Sequence, residues 1–503
     1  MADPAGRGQH TSARRAGDPA LDNGAKKYQR VMLRSELEDI VGPANVSTRL
    51  EDLIAYSVDN FWVPRHWINS HLWPERAHFI VHPGTTDEVS RILQLANIHR
   101  IPVTTWGGGG GSQGGALPIA EGIVLDTKKL DRIIRIDEAS YTVTTQTGII
   151  QQDLEWALNR RGFSMMHFPA SMTCCTVGGF LAHRGSGVLS TKYGKVEEMV
   201  LSLEVVLPTG EVIRTLSNPR HAAGPDLNQV FVGSEGTLGV MTEATFVIHR
   251  FPECRRFHSF LFPNLRQGLE AGAQIMKSRA VPSVIRLYDE LETVKIVRRV
   301  LGLERHGAFM VVGYEGRDRI VQVEEEIGRE ICAGLEAEYL GPEAGEDWWK
   351  NKYKFYFPPY CLDFPLMFGT MDTVASFDKI ADVYYGIKEA IEGRFPGTIF
   401  MGHFSHWYPW GAMLYDRFVV EKPPEDPEEA LLLHNRIWDT GVRAAMAHGG
   451  IINEHHGIGL KLARHMRQQY GPAFRILEGL KRELDPNGIM NPGKLGLGGY
   501  VCS

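Results

Sequence analysis

Four groups of residues have types and spacing suited to chemistry. The segment IINEHHGIGLK sets His455 and His456 side by side between small residues. Imidazole titrates near neutrality and suits a general base. The plainer reading is a surface or helix-cap pair, which the flanking Gly457 and Gly459 weaken. Tyr415, in WGAMLYDRF, offers a phenol that can take or give a proton if its neighbours lower its pKa; otherwise it is an aromatic on a strand. Arg286, in PSVIRLYD, can grip a carboxylate or phosphate with two parallel N–H bonds, or form a surface ion pair with Asp289 or Glu290. His403 and His406, in MGHFSHWYPW, form an H-x-x-H. On a strand, residues three apart face opposite sides, so a shared metal would need a bend. Three imidazoles could hold zinc, but substrate or supporting contacts are the preferred reading and no metal site is assigned.

The second signal is glycine. Residues 107–115 read GGGGGSQGG, in a chain of 503 residues with 54 glycines. Without a Cβ, backbone N–H groups can converge on an anion. A P-loop needs Lys-Ser/Thr after its last glycine, and none follows here. A dinucleotide fingerprint must open a helix, but ALPIAEGIVLD continues as a strand. A flexible linker is disfavoured by strands on both sides. Two further sets, PASMTCCTVGGFLAHRGSGVLSTKYGKVEEMV (169–200) and VFVGSEGTLGVMTEATF (230–246), again place glycine beside small hydroxyl residues. Three such loops suggest a ligand with a long polyphosphate-containing body.

These groups need elements to position them. FIVH, PGTT, DEVSRILQLANIHR and IPVTTW read as strand, turn, helix and strand, with Val89, Ile92, Leu93 and Ala96 on one helix face. GIVLDT, KLDRIIRID and TVTTQTG are short strands, 151–162 a helix, and 198–215 a hairpin around Pro208-Thr209-Gly210. From residue 253 helices (265–279, 320–337, 376–393, 426–447) alternate with strands such as RHGAFMVVGYEG and GTIFMGHFSHW. Aromatics crowd there: Tyr353, Phe355, Tyr356, Phe357, Tyr360, Phe364 and Phe368, either a pocket wall or ordinary core.

Composition narrows the classes. The net charge of −6 argues against a nucleic-acid binder, which would show a basic stripe. Six cysteines are too sparse for a disulfide framework, so a reducing, cytoplasmic setting is expected. The N-terminus has no apolar run and reads as a disordered tail over 1–29. No stretch is long and apolar enough for a transmembrane segment.

The order VHPGTTDEV, IPVTTWGGGGGSQGG, PAS…TVGG…GSG…YG and GSEGTLGVMTEAT resembles the FAD-binding domain of the vanillyl-alcohol oxidase and p-cresol methylhydroxylase flavoproteins. The likeness covers about residues 55–252, and MNPGKLG near the C-terminus also fits. It implies an α+β fold: a two-subdomain FAD-binding domain over 30–255, an α/β cap over 256–459, and a segment, 460–503, that returns to the FAD domain. It implies that Gly107, Gly108, Gly109, Gly110 and Gly111 wrap the pyrophosphate, with Ser112 and Gln113 near. Pro169, Ala170 and Ser171, with Thr176, Val177, Gly178 and Gly179, would line the flavin side. Glu235, Gly236 and Thr237 would complete the adenine and pyrophosphate side, with Val240 at the adenosine. The first glycine loop holds no histidine, so non-covalent FAD is expected.

The pattern SxIRLxD, a tyrosine in GAxxY and paired histidines about 40 residues later resemble alkyl-dihydroxyacetonephosphate synthases; the MNPGKLG end is closer to FAD-linked 2-hydroxy-acid dehydrogenases. Some of the latter use a His–His–carboxylate metal site and carry Glu where this chain has His455. The resemblance makes Arg286, Tyr415, His455 and His456 the catalytic candidates. The favoured reading is an FAD-dependent oxidase or dehydrogenase of an alcohol or 2-hydroxy acid. Tyr415 or a histidine of the pair takes the proton, and Arg286 holds an anionic group of a substrate with an anionic or aromatic part. The alternatives are an ether-lipid synthase and a flavin-binding protein without turnover. A homodimer through the cap is expected by analogy.

Overall fold

A computed structural model describes residues 19–70, 77–355 and 366–498. Of the aromatic crowd, Tyr356, Phe357, Tyr360 and Phe364 lie outside the described residues, as do residues 1–18 of the expected tail.

The tail expectation needs correction, because a helix spans Pro19–Val41. Leu37 and Val41 are buried, and Leu33 and Ile40 pack beside them. That stripe anchors the C-terminal half. Adding residues to an anchored helix is far easier than nucleating one, so the polar half continues it.

The helix Thr86–His99 is bounded by local chemistry. Thr85 caps it by accepting from the Glu88 N–H at 3.1 Å, and Arg100 ends it at a left-handed φ of 54°. Its buried residues include Val89, Ile92, Leu93 and Ala96. The flanking strands Phe79–Val81 and Val103–Trp106 do not pair with each other. Ile123–Asp126 lies between them, parallel to both, and Val46–Ser47 adds an antiparallel edge. The glycine run 107–115 is therefore the return from an outer strand to the central one. It leaves from the carboxyl end of Val103–Trp106, the end where open parallel sheets bind ligands.

A second sheet has the order Ile133–Asp137, Thr142–Gln146, Val240–Val247, Val200–Val206, Val212–Arg214, all antiparallel. The hairpin turns at Gly210, φ 87°, where only glycine is unstrained.

The third sheet carries the cap. Its seven strands run in the order Glu338–Gly341, Cys254–Phe262, Ala308–Gly316, Val284–Tyr288, Thr398–Tyr408, Gly411–Val420, Met367–Ser376, each pair antiparallel. Side chains alternate across a strand. Ile285, Leu287, Phe400, Phe404, Leu414 and Phe418 therefore share one core with the helices Leu265–Lys277, Ile380–Arg394 and Pro427–Ala447. Arg286, His403, Tyr415 and Arg417 are left for the opposite face. The chain then returns to the first sheet: Met490 bridges Val103, and Asn491 donates its side-chain amide to the Gly115 and Glu235 carbonyls. No helix among the described residues is long and apolar enough to cross a membrane.

Candidate active site

A cavity of about 550 Å³ lies where the glycine loops meet the face of the cap sheet opposite its helices. Gly107 to Gly111, Ser112 and Gln113 line it, as do Pro169, Ala170, Ser171, Thr176, Gly178, Gly179, Glu235, Gly236 and Val240. Arg286, Tyr415, His455 and His456 line the same space. Val177 and Thr237 do not. Val177 packs inside the second sheet's core, and the Thr237 hydroxyl donates to the Ser234 carbonyl at 2.7 Å.

The glycines of the first loop meet backbone and side chain at close range. A Cβ on Gly107 would fall 2.3 Å from Thr176 Oγ1, and one on Gly108 only 2.0 Å from the Cys174 carbonyl oxygen. The loop thus lies directly on the 174–179 segment. Thr176 caps the helix Val177–Ala182 there by accepting from the Gly179 N–H. Glu235 accepts from the Ile458 and Gly459 N–H groups, tying the third glycine loop to the histidine segment, and burial raises its carboxyl to about 7.

Two carboxylates hold the histidine pair. Asp372 is directly opposite Tyr415 across the strands Met367–Ser376 and Gly411–Val420. Its Oδ1 lies 2.8 Å from His456 Nδ1, and its Oδ2 accepts from the Glu454, His455 and His456 N–H groups. Burial alone would raise its pKa. The His456 ring and the other contacts reverse that and keep it well below the ordinary carboxylate range. Glu454 takes His455 Nδ1 at 2.8 Å and Lys195 Nζ at 2.9 Å. Burial and the neighbouring His456 push His455 downward, against the pull of Glu454 and Asp372, which favours its neutral ring. The Tyr415 ring is 5.4 Å from that of His456 and stacks on His403 at 4.9 Å.

The H-x-x-H separates. A bulge falls between Phe404 and His406 in the pairing with Gly411–Val420. His406 lines the cavity, with Nδ1 at 2.6 Å from Ser190 Oγ and its ring 5.2 Å from that of His455. His403 sits behind Tyr415, with Nδ1 3.1 Å from Glu292, which also pairs with Arg417. His406, Glu454 and His455 offer ligand atoms within 4.8 Å of one another. Lys195 already supplies a positive charge to that carboxylate, as a metal would.

Arg286 is 4% exposed, so the surface ion pair expected as its plainer reading does not describe it. Asp289 instead caps the turn at Glu292 and accepts from the Tyr384 hydroxyl and the Gly402 N–H. Sequence reasoning missed Asp372, Glu454, Arg417 and Lys461. Arg417 was findable, because it shares a strand face with Tyr415 at i+2. Asp372 carries no spacing signal; only strand register brings it to Tyr415.

Residues 77–216 match the family described as FAD binding domain, and residues 251–495 match FAD linked oxidases, C-terminal domain. The chain is 32% identical to the FAD-linked oxidoreductase YgcU of Escherichia coli K12, over 93% of this chain and 98% of that protein. This chain belongs to the FAD-linked oxidoreductases. It binds FAD. It is 29% identical to alkyldihydroxyacetonephosphate synthase of Dictyostelium discoideum (83% of this chain, 72% of that one). It is 26% identical to the glycolate oxidase subunit GlcD of Bacillus subtilis (92% and 96%). Among solved structures, an alkyldihydroxyacetonephosphate synthase superposes with TM-score 0.78 at 24% identity, covering 92% of this chain and 86% of that one. A p-cresol methylhydroxylase gives TM-score 0.74 at 18% identity, covering 94% and 98%, which establishes the shared fold.

The lining fits that cofactor. Thr105 Oγ1 and Gln113 Oε1 face the cavity as buried polar atoms without a hydrogen-bond partner among the described residues. The glycine loops leave room for an extended ligand, and Gly111 has nothing within 4 Å of an added Cβ.

Proposed function

We propose that this oxidoreductase oxidises a carbon bearing oxygen, in an alcohol or 2-hydroxy acid, and that Arg286 holds an anionic group of the substrate. One observation carries the reading: Arg286, Tyr415, His455 and His456 line the same cavity as the three glycine loops. Bound FAD supplies a hydride acceptor. The chain's own residues must then fix the C–H and receive the hydroxyl proton as the C=O bond forms. His456 is suited to that. Asp372 engages its Nδ1, so Nδ1 carries the hydrogen and Nε2 keeps a lone pair for the incoming proton. His455, engaged at Nδ1 by Glu454, has the same polarity. Tyr415, opposite Asp372 on the cavity face, positions the reacting oxygen. Buried Arg286 can pair with a carboxylate or phosphate in a site shielded from water.

A second reading, an ether-lipid synthase, is favoured by one specific observation. The Arg–Tyr–His–His set matched to alkyl-dihydroxyacetonephosphate synthases converges here in space. In that case the chemistry would be a net exchange and the flavin would end oxidised. Anaerobic addition of 2-hydroxy acids and alcohols decides between the two. Lasting flavin bleaching supports the oxidation. Turnover of an acyl-dihydroxyacetone phosphate with no lasting bleaching supports the exchange. Under the first reading, Tyr415→Phe and His456→Ala should keep FAD but slow flavin reduction by about 100- to 10,000-fold. Wild-type reduction rates in both variants would remove these residues from the mechanism.

A further inference from the structure

Lys461 follows the histidine segment and lines the same cavity, yet neither the FAD-domain contacts nor the proton path uses its side chain. Its ammonium lies 4.3 Å from the Trp438 ring centre and 5.7 Å from that of Phe61. Among the described residues its Nζ makes one hydrogen bond, a long one of 3.3 Å to the Thr370 carbonyl, and has no carboxylate in salt-bridge range. An ammonium has three hydrogens to donate. The Thr370 hydroxyl is buried and has no hydrogen-bond partner among the described residues.

Asp372 and Asp416 are the carboxyls whose charge reaches Lys461, and neither lies in salt-bridge range of its Nζ among the described residues. Asp372 is engaged by His456 and three backbone N–H groups. Burial holds Asp416 well above the ordinary carboxylate range, which disfavours its charged form. Burial also pushes the Lys461 amine down to about 7. A cation this costly to bury is stabilised by an anion arriving in the cavity.

The sheet places this feature apart from Arg286. Thr370 lies on the edge strand Met367–Ser376, two residues from Asp372 and opposite Arg417. Arg286 lies on Val284–Tyr288, with two strands between. Three strand spacings separate the two positions by about 14 Å across the sheet, and the register sets them two residues to either side of the Tyr415 row, so they lie roughly 19 Å apart with Tyr415 between them.

We propose that Lys461 and the Thr370 hydroxyl form a second anion subsite of the cavity, which receives a carboxylate or phosphate remote from the group held by Arg286. The substrate then carries two anionic groups, one on each side of the carbon that reacts. This rests on the cavity being the substrate site proposed above.

The test reads Lys461 directly and needs no turnover. The FAD-loaded enzyme is treated with cyanate, and carbamylation of Lys461 is followed by peptide mass spectrometry with succinate, inorganic phosphate or chloride at equal ionic strength. Succinate or phosphate should slow the labelling by about tenfold at ten times its Kd, and chloride should not. Whichever protects names the anion. Labelling indifferent to both anions overturns the subsite. In parallel, Lys461→Gln and Lys461→Arg are loaded with FAD. Both should keep wild-type flavin content and absorbance. An altered flavin spectrum in ligand-free Lys461→Gln, with no protection in the wild type, assigns the lysine to the cofactor and also overturns the proposal. Protection by either anion stands whether or not a hydroxy acid or alcohol bleaches the flavin, so failure of the oxidation reading is seen separately.

Discussion

Asp372 joins the fold to the chemistry. Its two oxygens satisfy three consecutive backbone N–H groups, the Asn453 amide and the His456 ring, so one carboxylate shapes the histidine turn and sets the proton's place on His456. Asp372→Asn keeps the volume but removes the charge. The expected cost is about 2 kcal/mol, because a buried charged acceptor of several hydrogen bonds is replaced by an amide whose NH₂ group faces donors. Flavin reduction should slow even where FAD is retained. The pH dependence follows from the sign of the shift. A carboxyl held low in the folded state contributes stability above its unfolded pKa, near 4, and loses it as pH falls further. Acid unfolding curves of the wild type and Asp372→Asn should therefore converge below about pH 4. A constant gap between the curves from pH 7 to pH 2 would show that the Asp372 charge is not what stabilises the turn. The catalytic candidates Arg286, Tyr415, His455 and His456 were legible because unusual side chains recur in short motifs. Their carboxylate partners were not, since a lone Asp on a strand has meaning only through register.

At the scale of elements, most of the secondary structure could be read from periodicity and punctuation. The apolar face of Thr86–His99 and the turn at Gly210 are examples. Pairing order could not. Nothing local in IPVTTW or GIVLDT shows that the later strand slips between the two earlier ones, because that depends on burial of both faces by distant residues. The first glycine loop shows how an element serves the site. At Gly108 its backbone rests against the Cys174 backbone, so a side chain at that position must move backbone and not merely a rotamer. Gly108→Ala, with its Cβ 2.0 Å from the Cys174 carbonyl oxygen, should fold but lose FAD on gel filtration. Gly334→Ala, at the end of the helix Asp318–Gly334 with open space around it, is the matched control and should keep full flavin content. Equal retention in the two variants would mean that the close approach at Gly108 does not shape the cofactor site.

Across the whole molecule, the C-terminal segment ties the glycine loops to the first sheet through a few buried polar contacts. The Lys481 ammonium donates to the Thr237 carbonyl at 2.8 Å, the Met490 carbonyl at 2.7 Å and the Asp485 carboxylate. Thr237 belongs to the third glycine loop, while Met490 bridges the strand that feeds the first. One side chain therefore links two of the three loops through the helix Phe474–Leu484. Lys481→Met keeps the length and apolar stem but strands three acceptors, one of them charged, in a buried place. The expected loss is about 3 kcal/mol. It should fall first on the cofactor, because Thr105, Glu235 and Gly236, near the tethered positions, line the FAD cavity, while the hydrogen-bond partners of Lys481 lie outside the core that packs the cap sheet. A thermal scan that follows flavin fluorescence and circular dichroism together should show flavin release moving to lower temperature by more than the unfolding of the cap. Parallel shifts of both signals would instead make the C-terminal segment part of a single cooperative unit with the cap, and Lys481 a support for that whole unit.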